Sequence, residues 1–485
     1  MVVLAVVFAV MMPGAEKRKE PARLPAQLEP VFGIAMAAPP EFAASALLRL
    51  NSQITDRDLR RDLINMAFLL AAKSQNPVRL VASPGSEVDT RSGSLARALR
   101  LRMDALSLQS AAVQEMLTVD PHRARELFDQ VNRPAISRAA CEDSLLPDVT
   151  PYYDALSAVT KGGFSEKERA QGEHLAFARA ALSRGATVPE LAPLASTLAS
   201  LDWPREYYEI ALGSFTSKLE GIGPDSRAFL YFSKSIDRGI GALVSHARQL
   251  GSSPEALVET YRKFLVTQLR SARCADSELA AGRMVGGADQ AALFGDGIRG
   301  EQPALNAEET TPEQVEGEIK IDRYWQTSGA KKVFEECLLL RQSPTGATLT
   351  DAARRTPEWA RQLTDFLSTL ADWRANDEPS EADYYHEKAT VYEALLELAP
   401  AGDLGDRVID SYVGFLKSSN LQQQNAVEWF SHARSTLNRV RSGHAGQAAK
   451  LLAAFRSSGS IVLMLEAMLD QVAPSNPFLE PISPQ

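Results

Sequence analysis

The residues of this chain best suited to chemistry are few and scattered. Asp383, His386 and Glu387 stand at i, i+3 and i+4, so a helix would carry all three on one face. Carboxylate and imidazole at that spacing can hold a metal ion. The segment nevertheless has neither the Glu-x-x-His of di-metal bundles nor a His-Glu-x-x-His. Acids in a first turn are already explained by the helix macrodipole, so no metal site is assigned. Gly295-Asp296-Gly297-Ile298-Arg299-Gly300 has Gly-x-Gly-x-x-Gly spacing. A dinucleotide site needs a strand before that motif and a helix opening at it. Here Ala-Ala-Leu-Phe precedes it and Glu301-Gln302-Pro303 stops any helix, which reads as a loop. No Gly-x-Ser-x-Gly, Walker lysine loop or calcium-loop spacing occurs. The sequence assigns no catalytic residue and no cofactor.

The cysteines are Cys141, Cys274 and Cys337. An odd number with no Cys-x-x-Cys argues against a zinc knuckle or a thioredoxin-type site. Cys141-Glu142-Asp143-Ser144 and Cys274-Ala275-Asp276-Ser277 share a local context. A Cys141–Cys274 disulfide is the pairing to expect if the chain is exported; the alternative is three small buried side chains. Cys337 lies in the apolar stretch Phe334–Leu339 and reads as core.

The aromatic residues offer a different kind of site. Trp203, Tyr207 and Tyr208 cluster together, then Phe229, Tyr231 and Phe232. Trp359, Trp373, Tyr384, Tyr385 and Trp429 populate the C-terminal part. Facing a concave groove, such residues would anchor an extended peptide or glycan. Helical spacing alone also predicts that they knit helix pairs together inside the core. The expectation carried forward gives partner binding to Trp203, Tyr207, Tyr208, Tyr384, Tyr385 and Trp429.

The elements that must position these residues are helices. Hardly any stretch reads as a β-strand, while start signals recur along the chain. Thr55-Asp56-Arg57-Asp58 resembles a capping box, Asp120-Pro121 places proline at a first helical position, and Ser165-Glu166-Lys167-Glu168 is a full capping box. Thr356-Pro357-Glu358 and Ser380-Glu381-Ala382-Asp383 are further starts. A long helix is expected over about Ser94–Val119. Short connections make consecutive helices antiparallel neighbours. The fold class is therefore all-α, with antiparallel helix pairs in an irregular helical-repeat array.

The organisation expected is 1–37 as a signal peptide or disordered segment and 38–276 as an N-terminal helical domain. Residues 277–319 form an acidic, Gly-rich linker, 320–473 a C-terminal helical domain, and 474–485 a Pro-rich tail. Between Asp276 and Ala330 eleven acidic residues face four basic ones, which locates most of the chain's net charge of −9. That charge gives no basic footprint, so no nucleic-acid partner is expected. No apolar run is long enough to span a membrane. Val2–Met12 has the length of a signal-peptide core, with cleavage candidates at Gly14-Ala15 and Ala35-Met36-Ala37. Lys17, Arg18 and Lys19 follow that run, where positive charge opposes export. The expected location is periplasmic or secreted, with the cytoplasm as the alternative.

Tyr324-Trp325-Gln326, Asp383-Tyr384-Tyr385-His386-Glu387-Lys388 and Asn425-Ala426-Val427-Glu428-Trp429-Phe430 resemble segments of uncharacterised bacterial helical-repeat proteins that often carry export signals. The resemblance implies a fold and a compartment, and no activity. Ala389-x-x-Tyr392-Glu-Ala394-Leu395, ending at Pro400, resembles the second helix of a tetratricopeptide repeat with offsets displaced by one residue. The function expected is a non-catalytic helical-repeat scaffold that binds protein or peptide partners. The alternative is an all-α hydrolase or lyase with an inter-domain cleft.

Overall fold

The computed structural model describes residues 23–82, 89–271, 273–275, 295, 298, 305–311, 315–318, 322–342, 347–350, 352–443 and 445–473. Most of the acidic stretch, the tail 474–485 and the Gly14-Ala15 cleavage candidate lie outside them.

The first half comprises α1 (Glu29–Ala37), α2 (Pro40–Asn51), α3 (Arg57–Ala71), β1 (Leu80–Ala82), α4 (Arg91–Leu99), α5 (Ala105–Leu117), α6 (Pro121–Phe128), β2 (Leu145–Pro147) and α7 (Thr150–Gly162). It continues through α8 (Glu166–Ala170), α9 (Glu173–Leu182), α10 (Val188–Ser200), α11 (Arg205–Gly221), α12 (Ser226–Gln249), α13 (Glu255–Arg270) and β3 (Arg273–Ala275). After these come α14 (Ala307–Thr310), β4 (Val315–Glu318), α15 (Ser328–Arg341), α16 (Pro357–Asp372), α17 (Glu381–Leu398) and α18 (Asp403–Ser418). The chain ends through α19 (Leu421–Gln424), α20 (Ala426–Gly443), α21 (Ala445–Ser457) and α22 (Ile461–Val472). β1 pairs antiparallel with β2, and β3 pairs parallel with β4.

The caps read from sequence start these helices, except that the box at Thr55 is displaced by one residue and Asp56 is the cap. Asp56 accepts from Leu59 N at 2.8 Å and Asp120 from Arg123 N at 3.0 Å. Ser165 and Glu168 form the reciprocal box, Thr356 caps α16 and Ser380 caps α17. Each such cap satisfies an orphan N–H and contributes about 1 kcal/mol. The long helix expected over 94–119 is two helices instead. Arg102 takes a left-handed φ of 55°, and Asp104 then caps a fresh start by accepting from Ser107 N at 3.0 Å. The helix opened by the Ser165 capping box is the short α8, and Gly172 at φ 75° supplies the turn into α9.

Helices two apart in sequence stack: α3 on α5, α5 on α7, α7 on α9, α10 on α12 and α11 on α13. This is the layering of an irregular helical-repeat array. The ends of the array meet. α1 and α2 pack on α22, and α4 packs on α20. Arg49 of α2 and Arg434 of α20 both pair with Glu466 of α22, at 2.8 and 3.2 Å. Residues 89–91 and 322–324 are joined by a β-bridge between Thr90 and Arg323 and by Arg91 N donating to Asp322 O. One apolar cluster accordingly runs from Leu28 to Leu469. The acidic stretch therefore does not separate two cores, because helices before it close against helices after it. α1 also lies inside the segment expected to be removed or disordered. Its Val31 and Ala35 are buried, so a cut at Ala35-Met36-Ala37 would sever a helix held in the core.

Candidate binding groove

The six aromatic residues expected to meet a partner do not form a surface. Trp203, Tyr208, Tyr384, Tyr385 and Trp429 are buried, and only Tyr207 is exposed. Their polar handles are used internally. Trp203 Nε1 donates to Leu198 O at 2.9 Å, Tyr208 Oη to Leu243 O at 2.8 Å and Tyr385 Oη to Trp429 O at 2.6 Å. Tyr384 Oη donates to Trp373 O, and Trp429 Nε1 to Leu416 O. A buried aromatic with its N–H or O–H already satisfied is a packing element. The partner-binding assignment of these five residues is corrected on that ground.

The Asp383, His386 and Glu387 trio is also brought to no common point. These residues sit on α17, which is buried on nearly every side. Asp383 receives Arg91 as a bidentate fork, Nε at 2.5 Å and Nη2 at 2.9 Å. His386 Nε2 donates to Glu428 Oε1 at 2.6 Å, leaving Nδ1 to accept from His432 Nε2 at 2.5 Å. His432 Nδ1 lies 3.4 Å from Glu393 Oε1, and Arg439 stands 3.6 Å from the same carboxylate. Burial holds the His386 imidazole below its usual range, although the bond to Glu428 opposes this.

Glu387 Oε1 instead accepts from Trp325 N at 2.7 Å, pinning a tryptophan at φ 64°. Burial, with the neighbouring carboxylates of Glu378 and Asp383, pushes the Glu387 carboxyl up to about 7. Lys388 donates to Trp373 O and Tyr384 Oη, and burial lowers its ammonium to about 8. Perturbed groups gathered this way can mark an active site. Here each makes at least one bond to a protein partner, although Glu387 Oε2 and His432 Nδ1 are buried without one, and none lines the three cavities described below. No metal-binding group of three or more occurs among the described residues.

Cys141 is disulfide-bonded and Cys337 is free and buried. The side chain of Cys274 lies outside those described.

Of the described cavities, one of about 640 Å³ lies where the chain's ends meet, with Lys417 as its one charged residue. A smaller apolar one lies between α9, α10 and α11. The third, of about 580 Å³, is different in character. Its floor is α10, which packs on both α7 and α12. α7 presents Thr150, Asp154, Ser157 and Lys161, a stripe at steps of four, three and four. α10 presents Pro189, Pro193, Ser196 and Ser200, and α12 presents Tyr231, Ser235 and Arg238. Arg79 and Asp148 close one end, joined at 3.4 Å. Gly239 lets α12 approach α10 closely, since an added β-carbon there would stand 2.9 Å from Ala195 Cβ.

The charge of this groove departs from that of the chain. Arg79, Lys161 and Arg238 line it against Asp148 and Asp154. Crowding by protein raises the Asp154 carboxyl; Arg102 and Arg79 oppose this and Asp148 adds to it. Hydroxyls supply the rest. Ser157 and Ser200 share a hydrogen bond of 3.2 Å, and Ser235 donates to Phe232 O. A hydroxyl used as a donor keeps lone pairs for a ligand N–H. Pro193 has no N–H, so the Pro189 carbonyl lacks its i+4 donor within α10. Sequence reasoning missed these residues because a polar stripe at helical spacing reads as an ordinary solvated face. Tyr231 and Phe232 were the one signal, noted there as an aromatic cluster.

No protein-family model matches the chain, and no curated protein matches it. A solved structure titled "Structure of APUM23-GGAUUUGACGG" is similar at 10% identity and a TM-score of 0.17, covering 92% of this chain and 83% of that one. A likeness of that score carries no argument about this chain. That title pairs its protein with GGAUUUGACGG; the exclusion of nucleic acid drawn above is withdrawn because it rested on net charge alone. Net charge sums over the whole chain, whereas a partner meets a local field. The groove, with three cations against two acids, shows how far the two can differ.

Proposed function

We propose that this chain is a non-catalytic helical scaffold that holds an extended protein segment in the groove between α7, α10 and α12. The observation that carries this reading is the convergence of three helix faces on one open, polar, mixed-charge cavity of about 580 Å³. The stripe from Thr150 to Lys161 rises about 16 Å at 1.5 Å per residue. That length suits about five residues of extended chain. Seryl and threonyl oxygens and the Pro189 carbonyl offer acceptors for backbone N–H groups, while Asp154 and Arg238 offer charge.

A photo-crosslinking residue placed at Ser196 or Ser235 in the native host tests this. Both positions should give the same discrete adduct, lost when Ser200→Trp fills the groove. An adduct from the exposed Leu69 position that matches it, or one indifferent to Ser200→Trp, would refute the reading.

The proposed location is outside the cytoplasm. The bonded state of Cys141 supports it, because structural disulfides persist in oxidising compartments. Alkylation in denaturant of the protein from its native host, followed by intact mass, should find one free thiol before reduction and three after it. Three reactive thiols before reduction would overturn this location.

A further inference from the structure

We propose that the segment held in the groove presents a side-chain carboxylate to Arg238, facing the wall that carries Asp154. This rests on the groove reading above and names the chemistry of its occupant. Three observations lead to it. First, the chain carries a net charge of −9, yet the groove lining holds one more cation than anion. Second, the three cations differ in what they have left to offer. Arg79 is nearly buried and already lies 3.4 Å from Asp148. Lys161 sits at the C-terminal end of α7, where the helix dipole already favours a cation. Arg238 is exposed, projects from the middle of α12 and has no ion pair among the described residues. Third, α12 lies close against α10 at Gly239, the residue after Arg238. Arg238 lines the groove beside that approach, and a carboxylate can accept both prongs of a guanidinium fork.

The two aspartates decide which anion fits. A phosphodiester backbone repeats one negative charge per residue and would meet Asp148 and Asp154 along the same length. A peptide can pair one carboxylate with Arg238 and place neutral or basic groups beside Asp154. The groove therefore suits a mixed-sequence peptide with one acidic anchor better than a polyanion.

The experiment pans random twelve-residue peptides displayed on phage against the full chain. Clones that also bind the Ser196→Trp chain are subtracted, since Ser196 is exposed and lines the groove floor. Enriched sequences are synthesised with a fluorophore, and their anisotropy is measured against wild type, Arg238→Ala and Arg238→Glu. Circular dichroism confirms that each variant is folded. The expected result is enrichment of Asp or Glu at one position. Affinity should fall on the order of tenfold in Arg238→Ala, the scale of losing one charge-assisted pair, and further in Arg238→Glu. Replacing that Asp or Glu by its amide should cost the same in wild type and nothing more in Arg238→Ala.

Binding that Ser196→Trp blocks but that shows no acidic preference would overturn this inference and leave the groove reading standing. Failure to recover any peptide sensitive to Ser196→Trp would overturn both. An eight-nucleotide oligouridylate that competes more strongly than the acidic peptides would also overturn it, in favour of a nucleic-acid ligand.

Discussion

Glu466→Gln should be among the most destabilising single changes in this protein, although it alters one side chain by one atom. Glu466 is buried between Arg49 and Arg434, at 2.8 and 3.2 Å. Burial alone would raise its carboxyl, but the two guanidinium groups outweigh that and hold it below the usual carboxylate range. At an effective dielectric of about 20, a unit pair at these separations is worth roughly 5–6 kcal/mol per arm. Desolvation of three charges, several kcal/mol each, cancels most of that gain. The intact cluster is thus near neutral for stability, and the cost appears when one partner is removed. Gln leaves Arg49 buried without a counter-ion, and the expected loss is about 3–5 kcal/mol. Urea titrations followed by circular dichroism and tryptophan fluorescence would measure it. Arg49→Met and the double variant complete a cycle, with an expected coupling of about 1.5–3 kcal/mol. A loss under about 1 kcal/mol, or strict additivity, would refute the claim that α2 and α22 are locked together through this residue.

Glu387→Gln should stabilise the protein at pH 8 and have little effect or a small cost at pH 4. The folded carboxyl is raised from 4.5 to about 7, so its contribution is fully present below pH 4.5 and is lost as pH rises through 7. Gln keeps an acceptor for Trp325 N; equal effects of the variant at both pH values, read by urea melts, would contradict the assignment. Gly239→Val should cost roughly 1–3 kcal/mol by overpacking α12 against Ala195. It should also weaken any groove ligand, and a neutral effect in thermal melts would show that the helices are less closely apposed. Tyr385→Phe should cost about 1 kcal/mol through loss of the buried bond to Trp429 O. It should leave partner binding unchanged, and a binding defect in a folded Tyr385→Phe protein would return this aromatic set to the interface.

What the sequence determined about this protein is what neighbours along the chain can decide. A helix needs an apolar stripe at i, i+3 and i+4 and a cap within three residues of its start. Asp120, Ser165, Thr356 and Ser380 therefore marked starts that the structure uses, and the box at Thr55 missed its cap, Asp56, by one residue. The all-α class followed from those local signals. Even the failure at 94–119 is local, for a left-handed Arg102 leaves no signature in a continuous apolar pattern.

Only the tertiary structure decided the rest. It chose which face of each helix is inside, turning Tyr385 and Trp429 into core and the stripe Thr150, Asp154, Ser157 and Lys161 into a groove wall. It sent Asp383, His386 and Glu387 to three separate partners, although their spacing is that of one face. It also closed the array on itself through Arg49 and Glu466, which lie 417 residues apart. The physical reason is range. Periodicity and capping act over one or two turns, whereas burial and charge pairing depend on which distant helices share a wall. No spacing within one helix encodes that choice.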